Sequence, residues 1–195
     1  MKMNPRIFRE YDIRGVVEQD LTPEVAHYLG LSMGTYMRRL GYRRLSVGRD
    51  CRLSSPLLKE ALVEGVTATG CDVLDVGMVT TPLLYFSLHH LPVDGGIMIT
   101  GSHNPPDYNG FKLCRGIDSL YGEEIQGIRE IIDSGSFEEG AGEYREEEVL
   151  DPYMEYISEN VKLDRVVNVA VDCGNGMGGI VAPILFRELG CKVEE

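Results

Sequence analysis

The sequence predicts an α/β fold: a three-layer α/β/α arrangement around a mixed sheet, followed by the beginning of a second similar domain. Three observations predict it. Short apolar runs alternate with helix-periodic segments along nearly the whole chain, the pattern of a sheet covered on both faces. Hydroxyl residues followed by proline mark successive helix starts, at Thr22-Pro23, Ser55-Pro56 and Thr81-Pro82. Between residues 136 and 150 an acidic stretch holds six glutamates and one arginine, and the strand–helix alternation resumes after it.

Taken in order, IFREYDIRGVV reads as an extended segment with a tip at Asp12 to Gly15. Arg14-Gly15 would place a guanidinium on a turn, unless it is only a surface arginine beside a turn glycine. Thr22-Pro23-Glu24 starts a helix with a capping hydroxyl, a first-turn proline and an acid at the positive dipole end. Its core stripe is Val25, Tyr28, Leu29, Met33, Tyr36, Met37 and Leu40, and Gly41 ends it. Leu45 to Gly48 is a strand running into Arg49-Asp50-Cys51-Arg52. A helix capped at Ser54 or Ser55 buries Leu57, Leu58, Ala61, Leu62, Gly65 and Val66 and stops at Gly70. Asp72 to Gly77 is the next strand, and Thr80-Thr81-Pro82 caps a third helix that ends in His89-His90. Adjacent helical histidines point about 100° apart and do not chelate one metal; they suit the negative helix end.

Ile97-Met98-Ile99 is a buried strand that ends in TGSHNPPDYNGFK. Gly122 to Ile132 is a helix with Ile125, Ile128, Ile131 and Ile132 on one side. After the acidic connector come a helix from Asp151-Pro152 to Val161, a strand from Val166 to Val171, a glycine cluster and a helix to about Leu189. The domains are therefore placed at 1–147 and 148–195. About 45 residues cannot enclose a core of their own, so the chain is expected to be a piece cut inside the second domain.

Composition narrows the function classes. With 195 residues, 43% of them hydrophobic, the chain can bury a proper core. No run approaches the ~18 apolar residues of a membrane span, and the N-terminal residues show no secretory signal. The five cysteines are scattered without CxxC spacing, which argues against a zinc knuckle or disulfide framework and for a cytoplasmic setting. A net charge of −12 disfavours nucleic acid. Yet Arg6, Arg9, Arg14, Arg49, Arg52, Lys112 and Arg115 lie in loop-like contexts, and a locally basic cleft on an acidic protein suits a small anion.

Two motifs compete for the chemistry. Gly174, Gly176 and Gly179 match G-x-G-x-x-G after a strand, with Glu194 and Glu195 about 20 residues on, the context of a dinucleotide-binding oxidoreductase. The rival is the Ser102-His103 loop. A serine hydrolase would need the histidine to reach its neighbour's hydroxyl, which adjacent residues rarely allow, and there is no G-x-S-x-G. A phosphorylated serine fits better. Thr100-Gly101 permits a sharp turn, Pro105-Pro106 stiffens the loop, and Asn104 is held extended before proline. Asn109-Gly110 signals a hairpin that returns Phe111-Lys112-Leu113 beside Ile97-Met98-Ile99 and brings Lys112 near Ser102. A rigid hydroxyl beside a cation suits phosphoryl transfer. An ordinary glycine-proline loop remains the alternative on these residues alone.

TGSHNPPDYNGFK closely resembles the phosphoserine loop of the α-D-phosphohexomutase superfamily in its phosphomannomutase/phosphoglucomutase form. FREYDIRG, VGRDCR at 47–52 and VDCGNGMGG at 171–179 resemble that family too, in its order. The resemblance implies a mutase that interconverts the 1- and 6-phosphates of mannose and/or glucose through a hexose 1,6-bisphosphate. Ser102 would carry the phosphoryl group, one oxygen of which would ligate Mg²⁺. His103 would order the loop, Lys112 would do acid/base or charge-stabilising work, and Arg14 would neutralise phosphate charge. Tyr11, Arg49 and Asn104 would bind substrate or phosphate, with Arg49 also supporting the loop. The family's Asp-Gly-Asp-x-Asp-Arg metal loop, its sugar-specificity loop and its last phosphate-binding loop do not occur in this chain. The chain alone is therefore expected to be inactive without the C-terminal domains of the same enzyme. Phosphoglucosamine mutase, whose loop usually reads Ser-Ala-Ser-His, and a non-catalytic phosphosugar-binding fragment are the alternatives. The resemblance also assigns the glycine cluster to the second domain's sheet, not to a dinucleotide.

Overall fold

Two of the three hydroxyl helix caps that the sequence predicts form in the first unit. A computed structural model describes residues 3–195. The Thr22 hydroxyl accepts from the Val25 amide at 3.2 Å, and Thr80 accepts from Leu83 at 3.4 Å. These caps open α1 (Pro23–Arg39) and α3 (Thr81–His90). Between them lie β2 (Arg44–Arg49), α2 (Ser55–Ala68) and β3 (Asp72–Met78), after β1 (Ile13–Val16). Then come β4 (Gly95–Ile99), β5 (Tyr108–Arg115), the short β6 (Asp118–Ser119), α4 (Glu123–Ser134) and β7 (Tyr144–Glu146).

The sheet is mixed, in the order β1-β5-β4-β2-β3-β7. β4, β2, β3 and β7 are mutually parallel, while β5 runs antiparallel to both β4 and β1. Side chains alternate between its faces. Leu45, Val47, Val73, Ile97, Ile99, Phe111 and Leu113 join the core under α1, α2 and α4. On the other face Ser46 meets Ser87 of α3 at 2.6 Å, and Gly96 lies against Leu88. The unit is thus a three-layer α/β/α sandwich. α1 and α2 cross backbone to backbone: a Cβ on Gly30 would lie 2.2 Å from the Leu62 carbonyl oxygen, and one on Gly65 2.2 Å from that of His27.

The chain divides into two compact units, the first ending at Glu147 and the second running Glu148–Glu195. The second holds α5 (Leu150–Asn160), β8 (Asn168–Ala170), a 3₁₀ turn (Met177–Ile180), α6 (Ala182–Glu188) and β9 (Lys192–Glu194), with β8 and β9 paired in parallel. No helix among the described residues is long and apolar enough to cross a membrane. No disulfide joins cysteines among the described residues.

Several local expectations are corrected. Arg14-Gly15 is not a turn but the middle of β1, and its glycine serves a close approach: a Cβ there would lie 2.5 Å from that of Asp20. Asn109-Gly110 is not a hairpin turn either. Both residues pair with β1 inside β5, and the strands are joined by the longer loop 100–107. The return register is as expected, with Met98 opposite Lys112. Ser54 does not cap α2 through its side chain; its hydroxyl accepts from Asn109 Nδ2 at 2.8 Å. Leu57 and Leu40 fall outside the core, 57% and 47% exposed, because each stands at a helix end where the stripe has turned away. The acidic connector contributes β7, which extends the sheet beside β3. The glycine cluster does not open a helix: the 3₁₀ turn intervenes, and α6 starts only at Ala182 with Pro183 behind it.

β7 is anchored through Asp75, buried in β3. Its carboxylate pairs with Lys59 and accepts the Tyr144 hydroxyl at 2.7 Å. Loss of hydration around the phenol, then the hydrogen bond and charge of Asp75, hold the Tyr144 pKa above its usual value.

Two outcomes are expected. Gly30→Ala or Gly65→Ala should destabilise the fold by roughly 1–3 kcal/mol, because backbone neighbours cannot yield to a methyl group. Denaturant titration tests this, and an unchanged midpoint would contradict the crossing. For Tyr144 the native state holds its proton more tightly than the unfolded state. Its contribution is therefore fully present below the unfolded pKa of about 10 and is lost as pH rises beyond it. The stability difference between wild type and Tyr144→Phe should be flat below that pH and narrow above it.

Candidate active site

The site gathers where β2 and β4 end, the edge at which ligands bind open α/β sheets. β4 delivers the chain to Thr100-Gly101-Ser102, and β2 delivers it to Asp50-Cys51-Arg52. Ser102 and His103 are exposed. Ser102 has φ of +54°, a left-handed conformation that costs a non-glycine residue roughly 1–2 kcal/mol. Something must hold it there.

Asp50 and Arg52 do so. Asp50 is 6% exposed. Its carboxylate accepts from Ser55 Oγ at 2.6 Å, the Arg52 amide at 3.0 Å and the Gly101 amide at 3.3 Å, and pairs with Arg52 Nε at 3.3 Å. The Arg52 guanidinium donates to the carbonyls of Ser102, Asn104, Pro105 and Tyr108 at 2.6–3.1 Å. Asn109 Nδ2 reaches the Ser54 and Ser55 hydroxyls and so ties the start of β5 to the same network. The Thr100 hydroxyl accepts from the Ser102 amide at 2.9 Å.

A second set of charges lies one strand away. Register places Arg14 opposite Gly110, whose carbonyl accepts from the Thr100 amide. Arg14 is 8% exposed, donates to Asn104 Oδ1 at 2.7 Å, and pairs with Asp12 at 2.5 Å. Its Nε is buried without a hydrogen-bond partner among the described residues. The Lys112 ammonium lies 4.0 Å from the same Asp12 carboxylate. Arg14 and Lys112 project from the sheet face opposite Phe111 and Leu113, as the two-residue period requires.

The sequence-predicted residues separate accordingly. Ser102, His103, Asn104 and Arg14 come together. Lys112 joins them through Asp12; no hydrogen bond links it to Ser102 among the described residues. Tyr11 is 69% exposed and is not drawn into the network. Arg49 donates to the Asp50 carbonyl at 3.1 Å, whereas the loop carbonyls are bonded by Arg52. His103 corrects another expectation: its Nδ1 lies 3.3 Å from Ser102 Oγ, because the left-handed turn at Ser102 folds the two side chains toward each other. No carboxylate forms an ion pair with His103 among the described residues, so the third member of a hydrolase triad is missing. Sequence reasoning missed Asp12 and Asp50 as site residues and placed Arg52 only among the cations of a basic cleft. A buried Asp flanked by arginines at a strand's end was the available signal. No three His, Cys, Asp or Glu side chains among the described residues are grouped to hold a metal ion.

Known proteins resemble this chain. Residues 5–139 match the model for phosphoglucomutase/phosphomannomutase, alpha/beta/alpha domain I. The chain is 44% identical over 187 residues to a phosphomannomutase/phosphoglucomutase of Pseudomonas aeruginosa, covering 96% of this chain and 40% of that protein. It is 44% identical to a phosphoglucomutase of Neisseria gonorrhoeae, covering 97% and 42%. A crystal structure of a phosphoglucomutase/phosphomannomutase family protein from Burkholderia thailandensis superposes with a TM-score of 0.96 at 43% identity, covering 99% and 44%. The chain thus spans about 40% of the length of the curated relatives it matches. By sequence match over most of its length and by superposition, the chain belongs to the phosphoglucomutase/phosphomannomutase family and carries that family's α/β/α domain I.

Proposed function

We propose that the protein carrying this chain is a phosphohexomutase that interconverts the 1- and 6-phosphates of mannose and/or glucose through a phosphoserine at residue 102. One observation carries the reading: an exposed serine hydroxyl is held in a left-handed turn by the buried Asp50 and its partner Arg52, while Arg14 bonds Asn104 of the same loop and shares Asp12 with Lys112. Family membership supports the reaction class, and the absence of a carboxylate behind His103 weighs against hydrolysis.

In the first half-reaction the Ser102 Oγ–P bond breaks while a sugar hydroxyl oxygen bonds to the same phosphorus. The hydroxyl's proton is exchanged for the phosphoryl group, and Ser102 is left as a free hydroxyl. A hexose 1,6-bisphosphate results. After it turns over in the site, the second half-reaction follows: the other sugar O–P bond breaks, the Ser102 Oγ–P bond forms again, and a proton passes back to the sugar oxygen. Such transfer depends chiefly on positioning and on charge stabilisation. Arg14 supplies fixed positive charge, and Lys112 does acid/base or charge-stabilising work. His103 and Asn104 order the loop, and Asn104, Arg49 and Tyr11 are the candidates for phosphate or substrate contact. Mg²⁺, when bound, would neutralise phosphoryl oxygens, and the phosphate on Ser102 is this chain's own donor to it. The described residues do not otherwise form a metal site, so the remaining ligands and the sugar-selecting loops are assigned to C-terminal domains of the same enzyme. Residues 1–147 are its first domain and 148–195 the start of its second. Scattered cysteines without CxxC spacing suit a cytoplasmic setting.

Incubating the full-length gene product with radiolabelled hexose 1,6-bisphosphate should place phosphate on Ser102, as read by peptide mapping. Ser102→Ala should abolish labelling and cut turnover by several orders of magnitude. Turnover that survives the substitution would refute the assignment.

A further inference from the structure

Arg52 spends every donor it has on the protein. A guanidinium carries five N–H bonds. Nε faces Asp50 at 3.3 Å; Nη1 donates to the carbonyls of Pro105 (2.6 Å) and Tyr108 (3.0 Å); Nη2 donates to those of Ser102 (3.1 Å) and Asn104 (2.6 Å). Both terminal nitrogens thus spend their four N–H bonds on carbonyls and Nε is turned to the Asp50 carboxylate, which leaves no terminal donor for a substrate phosphate. The side chain is only 14% exposed, and hydrogen bonds from a charged donor are stronger than neutral ones.

We infer that Arg52, oriented by Asp50, is the positioning residue that holds the Ser102 hydroxyl in its reactive direction. This inference rests on the phosphoserine reading. Peptide units are planar, so pinning the carbonyls of residues 102, 104 and 105 onto one guanidinium fixes the planes of the loop. The backbone oxygens turn inward, and the Ser102 side chain is left facing solvent in its left-handed turn. Gly101 completes the fit. The guanidinium lies against its Cα, and a Cβ there would come within 2.5 Å of Arg52 Cζ and Nε. Gly101 does not have a positive φ, so the glycine answers to Arg52 and not to a turn. Lysine, with three donors and no planar fork, cannot replace this arrangement.

The test uses the full-length gene product, with labelling of Ser102 by hexose 1,6-bisphosphate and steady-state turnover as readouts. Arg52→Ala should slow both by about 100-fold, the cost of a small misplacement of a reacting group. KM should stay within about threefold, because no substrate contact is removed. Added guanidinium at sub-denaturing concentration should restore part of the Arg52→Ala rate, and Arg52→Lys should remain slow. Gly101→Ala, which keeps the arginine but displaces it, should show the same fall in kcat, and it serves if Arg52→Ala does not fold. Amide hydrogen exchange should rise in residues 102–108 of each variant and stay unchanged in 23–39. Wild-type labelling rates in the variants, or a slow variant with normal loop exchange and no guanidinium rescue, would overturn the inference. Failure of the wild type itself to label would overturn the phosphoserine reading, and loop exchange would still decide whether Arg52 holds the loop.

Discussion

A buried carboxylate must be surrounded by donors, and Asp50 meets this demand in a way that assembles the site. Taking an ion of this size out of water costs several kcal/mol unless hydrogen bonds and an opposite charge offset it. The donors come from three places: Arg52 just beyond β2, Ser55 in the first turn of α2, and Gly101 just beyond β4. None can move without leaving the charge unsatisfied. One side chain therefore fixes two parallel strand ends and a helix start relative to one another.

The antiparallel strand β5 does the second part of the work. Placed between β4 and β1, it carries Lys112 and brings the N-terminal strand alongside the loop. Arg14 and Lys112 then share a face of the sheet and share Asp12. The cations are locally concentrated although the chain's net charge is −12, because much of the acidic excess lies in the segment around β7. An anion approaching this edge meets the local field of the cations more than the net charge, since exposed charges beyond about 10 Å are screened.

How much of this could be read from the sequence depends on the range of the interaction. Caps at Thr22 and Thr80 act over three residues, and helix stripes over a turn or two; both were legible. The loop's serine, histidine and prolines were legible for the same reason. Arg14–Asn104 spans 90 residues and Arg52–Tyr108 spans 56, and no local pattern encodes such pairs. Arg14-Gly15 and Asn109-Gly110 carry strong turn signals, yet they face each other as paired strands. Tertiary pairing overrode the propensity, as it commonly does for strands. Leu57 was placed in the core because the stripe was extended one residue too far toward the helix start.

The nearness of His103 to Ser102 needs separate weighing, since a hydroxyl 3.3 Å from an imidazole invites a hydrolytic reading. A general base in a hydrolase is oriented from behind by an acid, and it works in a water-poor site. His103 is exposed and lacks such an acid among the described residues. What is built with care here is the backbone beneath the serine, not the base beside it. That allocation suits the proposed phosphoserine: a loop whose planes are fixed by Arg52 would present Ser102 Oγ in one place for both directions of phosphoryl transfer.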